Sequence, residues 1–258
     1  MSGLALTPAP GAAPLSRMVR AQAALETRLL LRNGEQVVLA VVLPVLVLVV
    51  GQQAGDLVDL GAGRPIDVLT PGVLALAVLS TAFTSLAITT GFERRYGVLK
   101  RLGATPLPRS GLLAGKALAV LVVEAGQVAV IGLLAAALGW QPTGGVVAVA
   151  SCVALILLGT ACFAALGLAL AGSLRAEATL ALANLAYVLL LVGGGVLVPL
   201  GRYPESVQPV VELLPSGALA QGLRDTCTGS GVPLLALSVL AAWAGMGALV
   251  AGRTFRWE

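Results

Sequence analysis

The sequence predicts an all-α membrane protein. Six transmembrane helices are expected, with an N-terminal interfacial amphipathic helix, a short basic helix between the second and third spans, and short re-entrant outer helices before the last span. Three observations carry this. Apolar residues make up 58% and charged residues 11% of the 258 residues, whereas a soluble domain holds roughly 25% charged residues. Mean hydropathy is +0.97, and the apolar residues gather into runs that match or approach the roughly 20 residues a bilayer core requires. Of the 16 Lys and Arg, only Arg64, Arg202 and Arg224 fall on the side opposite the termini. That bias places both termini in the cytoplasm.

The elements follow in order. Residues 1–13 carry no charge and are rich in Ala, Pro and Gly, which reads as a disordered tail; 14–258 reads as a single membrane domain, since no polar run could form a second one. The first apolar run comes only after Arg17, Arg20, Arg28 and Arg32, an arrangement unlike a signal peptide. Between Pro14 and Asn33 those arginines and Glu26 alternate with Met18, Val19, Leu25, Leu29 and Leu30, the pattern of a basic helix lying among headgroups. A first span over 36–51 contains Pro44 and is short, which puts Asn33 and Glu35 at the interface. A loop over 52–71 carries Asp56, Asp59 and Asp67 against Arg64. The second span, 72–91, bears Ser80, Thr81, Thr84, Ser85, Thr89 and Thr90, hydroxyls able to bond within their helix or across to another. The third span, 110–138, is long enough to tilt or project. Trp140 suits the interface in the turn before the fourth span, 146–172. Residues 173–177 form a turn with Arg175 and Glu177, and the fifth span, 178–200, is interrupted by Gly193, Gly194 and Gly195. Residues 201–231 suggest one or two short helices split at Pro215 and folded back on the outer surface, and the sixth span covers 232–251.

The densest charge lies in FERRYGVLKRLGATPLPRSGLLAGK, Phe92 to Lys116. As a helix, Phe92, Tyr96, Leu99 and Leu102 share one face. Glu93 would occupy the first turn and Lys100 and Arg101 the last, each matching the helix dipole. Gly103 ends the helix, and Pro106 and Pro108 prevent its continuation.

Several chemistries are excluded or disfavoured. The chain has no histidine, which removes histidine-ligated metals and Ser–His or Cys–His nucleophiles. Cys152 and Cys162 read as small hydrophobes in a span, and Cys227 stands alone in a polar loop, so neither a metal site nor a disulfide framework is implied. The pI near 9.3 reflects cytoplasmic basic residues rather than nucleic-acid binding. GLLAGKA, residues 111–117, is one residue short of a phosphate-binding loop and ends in Ala117 where Ser or Thr is required. Gly111 and Gly115 read instead as a close helix–helix contact. Glu124 is the one acid well inside a span, with Gln127 on the same face and Asn184 and Tyr187 in the fifth span. These four either line a translocation path or join helices, and sequence favours neither.

The arrangement resembles the permease subunit of a type-2 ATP-binding-cassette exporter, from Pro14 to Arg253. The resemblance rests on the N-terminal helix, six spans, the loop pattern Glu93, Arg94, Gly97, Leu102 and Pro106 followed by Lys116, and YPESVQPVVELLPSGALAQGLRD before the last span. It implies an ATPase-coupling helix formed by Phe92, Glu93, Arg94, Arg95, Tyr96, Gly97, Leu99, Lys100, Arg101 and Leu102, docked on a separate ATP-binding-cassette ATPase. It also implies a second permease copy in a homodimer, an outer gate at Pro204, Pro209, Leu213, Leu214 and Pro215, and a bacterial cytoplasmic membrane location. No cofactor is expected in this chain, ATP and Mg belonging to the partner, and no catalytic or metal residue. Hydrophobic drugs, lipids or lipid-linked glycans are the implied cargo. The short first span and Glu124 depart from the family pattern. An ion-coupled secondary transporter would need more intramembrane charge and an internal repeat. A membrane scaffold is the other alternative, and an intramembrane enzyme lacks paired acids or histidine to work with.

Overall fold

A computed structural model describes residues 11–34, 38–54 and 64–254. The tail over residues 1–10, Glu35, the start of the first span, Asp56, Asp59 and Arg256 lie outside the described residues. The chain is an all-α membrane protein. Its helices are α1 (Leu15–Arg32), α2 (Leu43–Ala54, preceded by a π-helical turn Val38–Val42), α3 (Pro65–Arg95), α4 (Val98–Gly103), α5 (Arg109–Ala137), α6 (Gly145–Ser173), α7 (Ala176–Gly193), α8 (Gln208–Leu213), α9 (Pro215–Cys227) and α10 (Leu234–Thr254). Among the described residues, α3, α5, α6, α7 and α10 are long and apolar enough to cross a membrane, and Ala40–Gln53 is a shorter apolar helix.

α3 is the hub. Of its apolar window 72% is buried, against at most 39% in any other span. α2, α5, α6, α7 and α9 surround it. It begins earlier than expected, because Pro65 occupies the first turn, where its missing N–H is not needed. Asp67 in that turn suits the helix dipole and pairs with Arg64 at 2.9 Å. Residues 65–71 are therefore helix rather than loop. Midway, α3 widens into a π-helical segment, Leu79–Ser85. Gly167 of α6 lies so close that a Cβ there would sit 2.9 Å from the Phe83 carbonyl oxygen.

Small residues set the other contacts. A Cβ on Gly247 of α10 would lie 3.1 Å from Ala165 of α6. The Gly111 and Gly115 pair behaves as expected from sequence, its partner being α1: a Cβ at Gly115 would meet Gln22 at 2.8 Å. α1 turns Gln22, Ala23 and Glu26 toward α5 and leaves Leu25, Leu29 and Leu31 exposed.

The segment before α10 divides at Pro215 as the sequence suggests, with Leu214 held extended ahead of the proline. Within it, α8 is mostly exposed, with Pro209, Val210 and Leu213 facing outward. α9 packs among α3, α6 and α10 and buries nearly every residue. Its small residues permit this: a Cβ on Gly222 would meet Ala236 at 2.7 Å and Leu155 at 3.1 Å. α7 stops at Gly193, and Gly195 turns the chain with φ +72°.

Candidate functional site

The basic stretch departs from the single helix expected over 92–103. α3 runs on to Arg95, and Gly97 then adopts φ +69°, a left-handed conformation that costs little only without a Cβ. α4 restarts from the Gly97 carbonyl, which accepts from Arg101 N–H at 3.1 Å. The expected apolar face is divided by this break. Leu99 is fully buried, Leu102 half-buried, and Tyr96 is 66% exposed. With Val98, Arg95, Lys100 and Arg101 also exposed, the outward face of the turn is one aromatic and one aliphatic residue rimmed by three cations. Phe92 stacks beneath Tyr96, ring centroids 6.1 Å apart, and the Arg95 guanidinium lies 5.9 Å from the Tyr96 ring centre.

Glu93, Arg94 and Arg95 are consecutive, and each ties the turn to a different part of the bundle. Glu93 is not in a first turn, as expected, but near the C-terminal end of a long helix, where the dipole disfavours a carboxylate. Lys116 of α5 offsets this. Its Nζ lies 2.6 Å from Glu93 Oε2 and 2.9 Å from Glu26 Oε1 of α1, with the side chain 1% exposed. Gln22 Nε2 donates to the same Glu26 oxygen at 2.8 Å. Arg94 donates to the Gly172 carbonyl at 2.7 Å and to the Leu174 carbonyl, closing the C-terminal end of α6 where a cation is favoured. Arg95 pairs with Glu177 at the start of α7, a half-exposed contact of small energy. The turn is thus joined to α1, α5, α6 and α7.

Beside it opens a cavity of about 600 Å³, bounded by α3, α7, Ala40 and Leu43. Ser80, Thr84, Ser85 and Thr89 of α3 face it, as do Asn184 and Tyr187 of α7, and Phe92, Glu93, Tyr96 and Val98 form one end. Among the described residues, Tyr187 Oη and Thr84 Oγ1 are buried without a hydrogen-bond partner. The four polar residues grouped from sequence therefore divide into two pairs. Asn184 and Tyr187 line the cavity, whereas Glu124 and Gln127 join helices. Glu124 is buried and accepts a hydrogen bond from Thr160 of α6. Gln127 accepts from Thr81 at 3.0 Å and donates to the Ala40 carbonyl at 2.6 Å, bridging the two π-helical segments.

At the opposite end, of the gate residues expected from sequence, Pro204, Pro209 and Leu213 are exposed, Leu214 is half-buried, and Pro215 is buried at the start of α9. The anchor there is Arg224, which sequence reasoning left among loop charges. It is buried and donates to the carbonyls of Val196 at 2.5 Å, Gly195 at 2.7 Å and Val68 at 3.4 Å. Cys227 is likewise not alone in a polar loop; it is buried, with its Sγ 3.8 Å from that of Cys152. Glu26, Thr160 and Arg224 were missed; an arginine flanked by Ala, Gly and Leu was the available signal for the last. No group of three or more His, Cys, Asp or Glu able to hold a metal exists among the described residues.

This architecture is that of a multi-pass helical membrane domain, with a basic turn tied to four helices beside a cavity between its helices. The ABC-2 type transporter family model matches residues 17–227, and the chain belongs to that family. The match runs from α1 through the last residue of α9. In this family the membrane chain is the transport subunit, and ATP is hydrolysed by a separate ATPase. No curated protein matches the chain.

Proposed function

We propose that this chain exports a hydrophobic or amphiphilic substrate, a drug, lipid or lipid-linked glycan, from the cytoplasm or inner leaflet of a bacterial cytoplasmic membrane. A separate ATPase carrying ATP and Mg drives it, and a second copy of the chain completes the path. Both termini and the α3–α4 turn face the cytoplasm. That assignment rests on the basic bias, which keeps its sign after Lys116 and Arg224 are set aside as buried residues. The observation that carries the reading is the exposed Tyr96 and Val98 pair on a turn joined to four helices and bordering the cavity. An aromatic centre with a basic rim suits a desolvated contact whose approach is guided by charge. ATP-driven closure of the partner displaces the turn. Glu93, Arg94 and Arg95 then pass the displacement to the helices around the cavity. The cavity wall is mostly apolar, with hydroxyl and amide groups and Glu93 at one end, fitting a substrate with a greasy body and a polar head.

The test is co-purification of the ATPase from mild detergent, with an ATPase assay. Tyr96→Asp combined with Val98→Asp is expected to abolish co-purification and to remove any stimulation by the permease, while the variant chain keeps the thermal stability of the parent. Leu99 is unsuitable for this purpose, since its burial makes any charged substitution a folding defect. Retained ATPase binding in the double variant would refute the docking assignment.

A further inference from the structure

Cys152 and Cys227 are 75 residues apart in sequence and belong to different helices, yet their sulfurs lie 3.8 Å apart. All three cysteines are free thiols, and Cys162 has no part in this pair. Cys152 lies in the first turns of α6 and is half-buried; Cys227 is the last residue of α9 and is buried. The backbone around the pair is held in place. Thr143, just before α6, donates both its N–H, at 2.9 Å, and its hydroxyl, at 3.0 Å, to the Cys227 carbonyl. Thr143 and Thr228 also form an isolated β-bridge. A disulfide needs about 2.05 Å between sulfurs. At 3.8 Å the two sulfurs are already in van der Waals contact, so less than about 2 Å of approach remains.

We propose that Cys152 and Cys227 form a redox-sensitive disulfide that staples α9 to α6 at the end of the bundle opposite the basic turn. This rests on the orientation given above, which places residues 138–144 and 228–233 outside the cytoplasm, where disulfides persist. The oxidant is an external disulfide, either a small molecule or an oxidised dithiol protein. The Cys152 thiolate attacks one of its sulfurs, forming a mixed disulfide and releasing one thiolate. The Cys227 thiolate then attacks the Cys152 sulfur and releases the second. The two protein thiols lose two protons and two electrons, and the external disulfide gains both. Because α9 also carries Arg224, which holds the carbonyls after α7, the staple fixes the whole segment between α7 and α10 to α6.

The experiment counts thiols on the intact chain in membranes treated with oxidised glutathione, then denatured in SDS with N-ethylmaleimide and weighed. The chain is expected to add one maleimide, at Cys162, and three after reduction with dithiothreitol. Cys152→Ser should add two under both conditions, whereas Cys227→Ser, which leaves the mixed disulfide at Cys152 unresolved, should add one and carry one glutathione, then add two after reduction. Three maleimides on the oxidised parent chain, with none lost after copper-phenanthroline treatment, would overturn the pairing itself. A reporter, Ser230→Cys in a chain whose three cysteines are serine, separates the orientation from the geometry. Labelling of intact cells by a membrane-impermeant maleimide supports the proposal. Labelling of inverted vesicles alone, beside a copper-phenanthroline cross-link in the parent chain, keeps the pair but overturns both the orientation and the external staple.

Discussion

Lys116→Met is the most informative single change. The methionine keeps much of the stem volume and deletes the ammonium that sits 2.6 Å from Glu93 and 2.9 Å from Glu26. At an effective dielectric of about 20, each contact is worth about 6 kcal/mol of Coulomb attraction. Repulsion between the two carboxylates, and a desolvation cost of several kcal/mol per ion, oppose that sum. Removing one partner of a buried ion pair typically costs about 3–5 kcal/mol, because the remaining charge is left uncompensated. Here two carboxylates would remain, so the upper half of that range is expected. The loss should appear as a fall in stability in a detergent unfolding titration. It should be largely recovered when Glu26→Gln and Glu93→Gln are added, since the triple variant buries no net charge. Coupling should respond differently: the triple variant regains stability, but its stimulation of the partner ATPase stays impaired because α1, α3 and α5 are no longer joined. A Lys116→Met chain within about 1 kcal/mol of the parent would refute the claim that this trio holds the turn in place, since exposed pairs contribute on that scale.

Two further outcomes follow from the same reasoning. Arg224→Met should destabilise the chain by about 2–4 kcal/mol, through three backbone carbonyls left without their charged donor; Arg224→Lys should not restore it, because a compact ammonium cannot span Val68, Gly195 and Val196 as the guanidinium fork does, and a thermal melt showing full rescue by lysine would contradict this. For Gln127, a double-mutant cycle with Thr81→Val should give a coupling of about 0.6–1.7 kcal/mol, the range for hydrogen bonds between membrane helices; Gln127→Leu should leave the substrate concentration dependence of ATPase stimulation unchanged, and a shifted dependence at unchanged stability would reassign it to the substrate path.

Much of the fold was legible because membrane helices are written in composition. A run of Leu, Val and Ala that must satisfy its own backbone hydrogen bonds in lipid has helix as its only local solution. Hence the spans over 110–138 and 146–172 agree with α5 and α6 to within a residue. Two local signals agree with the structure, the proline break at Pro215 and the close contact of Gly111 and Gly115, whereas the glycines 193–195, expected to interrupt a span reaching 200, end α7 at Gly193. Errors arose where a local signal had two meanings. Pro71 looked like a boundary but lies inside α3, and Gly97 looked like one glycine in a helix but holds the left-handed turn that divides it.

By itself, then, the sequence determined the membrane-helical class, the order of the elements, the family, and the basic turn as the place to look. Only tertiary structure decided what the individual charges do. Glu26, Glu93 and Lys116 occupy three different helices, and nothing in their spacing marks them as partners; a buried charge is stabilised by whatever lies within a few ångströms, a distance that chain separation does not encode. The same reason hid Arg224 and the Cys152–Cys227 pair, and it separated Glu124 and Gln127, which join helices, from Asn184 and Tyr187, which face the cavity.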